Sequence, residues 1–376
     1  MNLADMLCYA DIDQLEKIAR SYGCECDEHS KHALIQSILT AIGRRPCIEA
    51  FVSEMNEEDI RFFNSLLYES NKGYSLEELT MRARQARFAA PGQDVERSRE
   101  LIVRYKQRGW LFNGHSQQTR FLFHTPKDLF QRVGDALEQR FRQQLVVTDE
   151  PAAYRDEQDV LARDVLCLLQ FISRNDVSLT SEGAIYKRTL ISILDCFAVK
   201  EQPLGRVGFR FGYGRRYRDY PDRFSYIYDY CYYKDYICEA DGGLWLTESG
   251  RAQVAARRRD DLKQLFRLWI RLYKGPIPNV LAIANWIVRL TDEWVTIASL
   301  TACMQAYIQP YYYDKAETIV ERRIIQMLMH LGLVRIGEHA EHGLVVRANA
   351  RALALAQGTF VTDDETIKLP AEASLK

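Results

Sequence analysis

One phrase recurs at wide spacing in this sequence: a turn residue with a short apolar run, a polar turn, then a second apolar strand. It reads Gly109-Trp110-Leu111-Phe112, polar Asn113–Gln118, then Phe121-Leu122-Phe123. A looser form is Tyr236-Ile237-Cys238, Glu239–Gly243, Leu244-Trp245-Leu246. The third is Gly332–Ile336, Gly337–Gly343, Leu344-Val345-Val346-Arg347. Apolar strands around a polar turn predict β-hairpins. Each follows segments whose apolar residues recur at three- and four-residue spacing, which predicts helices. Before the first hairpin these are Glu57–Tyr68, Leu76–Arg87 and Leu101–Gln107, with Ser75 and Glu78 forming a capping box. Before the second they are Asp159–Ile172, a short strand Val177–Leu179, and Ala184–Phe197. Before the third they are Val280–Leu290, a helix around Thr296–Gln305, and Ala316–Leu331. A hairpin behind a helix pair is the wing of a winged helix-turn-helix. Repeats this far apart predict related domains in series rather than a solenoid.

The rest of the chain fits around these units. Residues 1–55 read as two short helices, one from Asp11 or Asp13 to Ser21 and one from Ser30 to Ile42. With Lys31 opening the second, the pair resembles the small helix-extended-helix modules of the SAP type. Pro126 starts a further helix, and Asp149-Glu150-Pro151 with Asp156-Glu157 reads as an acidic linker. The expected fold is mainly α with small β-hairpin wings (α+β), tandem winged-helix domains preceded by a SAP-like helical pair. The expected boundaries are 1–55, 56–150, 156–275 (with an Arg/Tyr-rich insertion), 276–360, and a polar tail 361–376.

At 376 residues the chain is long for one domain. Lys+Arg (50) and Asp+Glu (51) nearly cancel, so phosphate binding requires local clustering of charge. Nine cysteines without a regular framework suggest reduced thiols. Met1–Met6 lacks the basic start and apolar run of a signal peptide, and no stretch supplies the ~20 apolar residues of a membrane span. A soluble, cytoplasmic protein is expected. There is no phosphate loop, since no Gly-Lys pair occurs, and no zinc-protease, nucleophile-elbow or kinase motif. Asp27-Glu28 has the letters of a helicase acid pair but follows no apolar strand. No enzyme activity and no cofactor are expected. Cys24, Cys26, His29 and His32 carry possible zinc ligands, but the spacing is compressed and no second pair lies nearby. The expectation there is a polar inter-helix turn rather than a metal site.

Basic residues cluster at four places. Gly205–Arg218 interleaves Arg206, Arg210, Arg215, Arg216 and Arg218 with glycines and with Tyr213 and Tyr217. Arginine suits phosphate, and aromatic faces suit stacked bases. The alternative is a solvated loop whose tyrosines cover a neighbouring core. Lys187 and Arg188 open the second helix of the middle unit, where a recognition helix presents side chains to a groove. Arg82, Arg84 and Arg87 hold the matching place in the first unit. Arg257-Arg258-Arg259 is read as part of a long basic helix after the second wing. Each cluster alone reads first as a solvated helix face, and it is the three in matching motif positions that bring in nucleic acid or an acidic partner. Met327, Met329 and the Tyr228–Tyr236 run are read as core or interface.

Leu179-Thr180-Ser181-Glu182-Gly183-Ala184-Ile185-Tyr186-Lys187-Arg188, and the ending Leu244-Trp245-Leu246-Thr247-Glu248-Ser249-Gly250, resemble the helicase-associated N-terminal region of XPB/Ssl-type DNA repair helicases and its free-standing bacterial relatives. In that family the region precedes the motor and helps bind DNA or partner subunits. The resemblance implies an accessory role with DNA, a helicase or a repair protein as partner; no membrane and no small-molecule substrate are expected. With no motor in this chain, unwinding is not implied. A scaffold that docks a repair subunit without touching DNA is the competing expectation.

Overall fold

Three helices end in the same way, and each ending starts a hairpin. The computed structural model describes residues 1–24, 30–68, 73–88, 95–205 and 210–358. Gly109, Asp235 and Gly332 take left-handed backbone, with φ of 66°, 55° and 67°. The N–H of the next residue reaches back into the helix: Trp110 to the Tyr105 carbonyl (2.9 Å), Tyr236 to Cys231 (2.8 Å) and Leu333 to Leu328 (2.9 Å). This ending satisfies carbonyls that a helix terminus otherwise leaves unpaired, and it turns the chain sharply. Trp110, Tyr236 and Leu333 are buried and pin the exit. The looser phrase at Tyr236 therefore has a physical reason. An aspartate, one of the few non-glycine residues that enter this region readily, stands where the other two repeats have glycine.

The chain divides into two compact units between Leu145 and Val146. The first opens with α1 (Leu3–Tyr9), α2 (Ile12–Ser21), α3 (Lys31–Gly43) and α4 (Arg45–Glu54). Asp11 caps α2 and Ser30 caps α3 through their side chains. There follow α5 (Glu57–Leu67), α6 (Leu76–Ala86), α7 (Val95–Gln107), β1 (Phe112–Asn113), β2 (Phe123–His124) and α8 (Lys127–Arg142). β2 pairs antiparallel with β1 and bridges to Tyr74. Phe63, Tyr105, Trp110 and Phe130 form the centre, with ring centroids 4.8 to 6.4 Å apart. Burying each such ring contributes roughly 1.5–3 kcal/mol.

The second unit begins with β3 (Val147–Thr148) and β4 (Tyr154–Arg155), where the sequence suggests a linker. The stretch between them folds onto the sheet: Pro151 is buried, and a Cβ on Gly337 would meet its Cγ at 2.5 Å. Next come α9 (Val160–Arg174), β5 (Val177–Ser178), α10 (Lys187–Cys196), α11 (Asp222–Tyr233), β6 (Ile237–Ala240) and β7 (Gly243–Leu246). α12 (Glu248–Ala255) is shorter than the basic helix expected there. Arg257 is left-handed (φ 48°), so Arg257–Arg259 lie in an exposed turn ahead of α13 (Leu262–Tyr273). The unit then runs on past residue 276, where a further boundary was expected, into α14 (Val280–Leu290), β8 (Trp294–Thr296) and α15 (Ile297–Met304). A split helix follows: α16 (Ala316–Thr318), a π-helical stretch Ile319–Ile325, and α17 (Gln326–His330). β9 (Val334–His339), β10 (Gly343–Ala348) and α18 (Ala350–Gly358) close it.

The structure is mainly helical with small antiparallel sheets. Besides the β1-β2 pair of the first unit, the second unit has one sheet of order β5-β7-β6 and another of order β3-β8-β10-β9-β4. Helix, strand, two helices, hairpin thus occurs twice in the second unit with the first strand beside the last. The first unit repeats this order with Tyr74 in the first strand's place. No helix among the described residues is long and apolar enough to cross a membrane.

Candidate functional site

The loop joining α10 to α11 carries most of the sequence-predicted site, and three of its arginines are held by groups of the same chain. Arg206 lies outside the described residues. Arg210 donates to the carbonyls of Tyr217 and Tyr220 and pairs with Asp222. Arg216 donates to the Glu182 carbonyl (2.8 Å) and to Glu239 (3.0 Å). Arg215 places its guanidinium 3.6 Å from the Tyr232 ring centre and 3.5 Å from Glu239. Two glycines make this possible. A Cβ on Gly183 would meet Arg216 Nη2 at 2.2 Å, and one on Gly214 (φ 103°) would meet Asp229 Oδ2 at 2.1 Å. The expected phosphate contacts Arg210, Arg215 and Arg216 are thus committed to carboxylates and carbonyls of the same chain. Arg218 alone among the described loop arginines is exposed without an ion pair. Its Nε donates to the Tyr217 hydroxyl (3.1 Å).

The expected stacking residue Tyr213 is also turned inward. It meets Tyr273 edge-on at 5.0 Å beneath the Arg323 guanidinium, and burial pushes its hydroxyl pKa up. Tyr217 is half-buried against Phe211. In the first unit Arg82 is buried on Glu78 (2.9 Å) and the Ser65 carbonyl (2.7 Å), and Arg87 pairs with Glu58 (3.4 Å). Arg84 is half-buried. None of these three presents a free exposed charge. Cys24 and His32 flank residues outside the described set, which include Cys26 and His29. Among the described residues no metal-holding cluster occurs.

Lys187 and Arg188 do face solvent, in the first turn of α10, and neither forms an ion pair among the described residues. However, the helix directly before the hairpin is α11, not α10, and α11 is buried from Arg223 to Cys231. Rather than presenting side chains, it anchors a charged core. Arg223, fully buried, pairs with Glu157 (3.3 Å) and Asp164 (2.7 Å). Glu157 also meets Arg155 (2.5 Å) and His330 Nδ1 (3.1 Å). Burial alone would raise the Glu157 pKa; the His330 hydrogen bond and the two arginines outweigh it and hold the carboxyl low. Burial lowers His330, which fits a neutral imidazole donating from Nδ1. Glu201 caps α11 from the loop, accepting from the Arg223 and Phe224 N–H groups, and burial pushes it up to about 7.

The loop is tied to the start of α10 by a second bond, the Tyr220 hydroxyl accepting from Ile185 N–H (2.9 Å). The Arg/Tyr loop and the Lys187–Arg188 pair therefore belong to one neighbourhood. A feature missed in the sequence lies against the same loop. Tyr311 and Asp314 close a tight turn by bonding backbone to backbone in both directions (3.0 Å each). Tyr312 is left-handed (φ 50°) and 81% exposed, and Tyr313 is 71% exposed. For a bulky residue this conformation costs on the order of 1 kcal/mol or more, and exposed rings return little of it. Arg323, in the π-helical stretch, fastens both sides: it holds Asp314 (2.8 Å) and the Phe211 carbonyl (2.9 Å). The only sequence signal was the tyrosine run after Pro310. Comparisons with family models, curated proteins and solved structures found no match to this chain.

Proposed function

We propose that this chain is a non-enzymatic nucleic-acid-binding accessory protein whose repeats are winged helices behind a SAP-like helical segment. Support for the repeats comes from the thrice-used helix ending and from the strand order shared by the three hairpins. The resemblance to the helicase-associated region of XPB/Ssl-type helicases fits this reading, with recruitment to a DNA-processing assembly as the role and no unwinding.

The observation that carries the proposal is the pair Lys187 and Arg188. Both are exposed and unpaired in the first turn of a helix that has no acidic residue there. Backbone N–H groups already make that end positive, so the site favours an anion from outside. Its link to the loop bearing Arg218 extends the basic surface. Contact is with the backbone rather than through a groove-reading helix, because α11 is buried. Titration of the chain against single- and double-stranded DNA at low salt tests this. Affinity should fall with salt, and Lys187→Glu with Arg188→Glu should weaken it about ten-fold or more and flatten the salt slope by about 1.4–1.8. Absence of binding to either form sinks the proposal.

A second reading, a protein adaptor, is favoured by the internal neutralisation of Arg210, Arg215 and Arg216. Capture of a repair subunit with salt-insensitive affinity, and no nucleic-acid binding, would select it.

A further inference from the structure

The exposed tyrosine turn deepens the nucleic-acid reading and rests on it. We infer that the Tyr311–Asp314 turn, with Phe211 and Arg218, is a stacking platform for unpaired bases of a single strand. Backbone strain combined with exposed aromatic surface is a pairing that folding alone does not reward, and such outliers gather at binding sites. Tyr312 has both, at φ 50° and 81% exposure. Phe211 stands at the centre of the group, its ring 5.7 Å from Tyr313, 6.0 Å from Tyr312 and 6.1 Å from Tyr311. The tilts differ, from 42° to 62°, so the rings do not close on one another as a flat stack, and Tyr312 and Tyr313 keep most of their surface in solvent.

The platform is held in advance. Arg323 fixes Asp314 at the end of the turn and the Phe211 backbone on the loop, and its own position is set by the π-helical stretch. Such local rearrangements of a helix are frequent at functional sites. Charge beside the rings is positive on the two segments concerned: Arg218 on the loop and Lys315 just after the turn are both exposed and make no ion pair. Glu317 and Glu321, exposed further along the same helix, limit that charge. Base stacking, more than phosphate contact, would therefore supply the affinity. A ring platform reaches bases only when they are unpaired, which selects a single strand over a duplex.

The test uses the full chain with a labelled oligothymidylate of about 12 nucleotides and an abasic oligomer of equal length, which keeps the phosphates and removes the rings. The native chain should bind the base-bearing strand about ten-fold or more tighter than the abasic one. Tyr312→Gly should reduce that preference about ten-fold, while its melting temperature stays level or rises, because glycine relieves the left-handed strain. Tyr313→Ala should act in the same direction. Equal affinity for both strands, or unchanged affinity in the tyrosine variants of a chain that binds DNA, overturns the platform and leaves the Lys187–Arg188 proposal standing. If the native chain binds no strand at all, the nucleic-acid reading fails and the platform with it.

Discussion

Two groups of cations in the middle of this molecule look alike in sequence and are used in opposite ways. Arg210, Arg215 and Arg216 lie in a glycine-rich loop, yet carboxylates of β6 and α11 absorb their charge. Lys187 and Arg188 open an ordinary helix and remain free in solvent. The difference lies in what the chain brings to each. Glycines at 183 and 214 allow close approach around the loop, so the arginines reach Glu239 and the Glu182 carbonyl. At the start of α10 no acid is within the first turn. Arginine density therefore marks structural cement in one place, and bare charge marks a surface in the other.

The sharpest way to break this comparison is at Arg223, the most deeply buried member of the inward set. Arg223→Met leaves Asp164 without an ion pair in the core and Glu157 with only Arg155 and His330, and the expected loss of stability is about 3–5 kcal/mol in denaturant unfolding. A loss below about 1 kcal/mol would mean the network relaxes around an unpaired carboxylate, and inward arginines would no longer count as cement.

Arg216→Gln is the intermediate case. It removes the ion pair to Glu239 while a glutamine can keep the bond to Glu182, so about 1–2 kcal/mol should be lost with nucleic-acid affinity changed less than about two-fold. The outcome that sinks the contrast is reversed: unchanged stability and abolished binding.

Sequence pattern revealed the parts of the fold set by local chemistry. Helical spacing located α5, α9 and α14, and the turn residues located all three hairpins. The middle repeat was legible only in looser form because at position 235 an aspartate does the work of glycine. Helix α11 was unreadable for a different reason: Asp222–Tyr233 is buried nearly all round, so it has no polar stripe to give it a period. β3 and β4 are two residues each within an acidic, proline-containing stretch, and only their sheet partners make them strands. Of the candidate site, Lys187 and Arg188 were legible because their exposure follows from helix position. The pairing of Arg216 with Glu239, 23 residues on, follows from tertiary contact that no local pattern records. The tyrosine run at 311–313 was visible as letters, but its exposure depends on a turn closed by backbone bonds.

The smallest effect concerns Asp229, which holds the inward loop through the Arg215 N–H (3.0 Å). Its carboxyl is 1% exposed, and burial pushes its pKa up to about 7, against the pull of that hydrogen bond and of Arg215 and Arg216. In the unfolded chain the group returns to the ordinary carboxylate value. Between those two pKa values the folded state binds a proton that the unfolded state does not, so this group's stabilising contribution declines as pH rises. From pH 6 to pH 8, a step through the folded value, about 1 kcal/mol should be lost. Asp229→Asn removes the titration and keeps an acceptor for Arg215. Subtracting its stability curve from the native one cancels Glu201 and His330, which titrate nearby in both proteins. The variant should gain on the native chain by about 1 kcal/mol over that interval. Parallel curves would mean that the carboxylate stays ionised on the arginines throughout. The loop would then be held by charge at every pH, and its contrast with the free cations of α10 would be deeper than the burial of Asp229 implies.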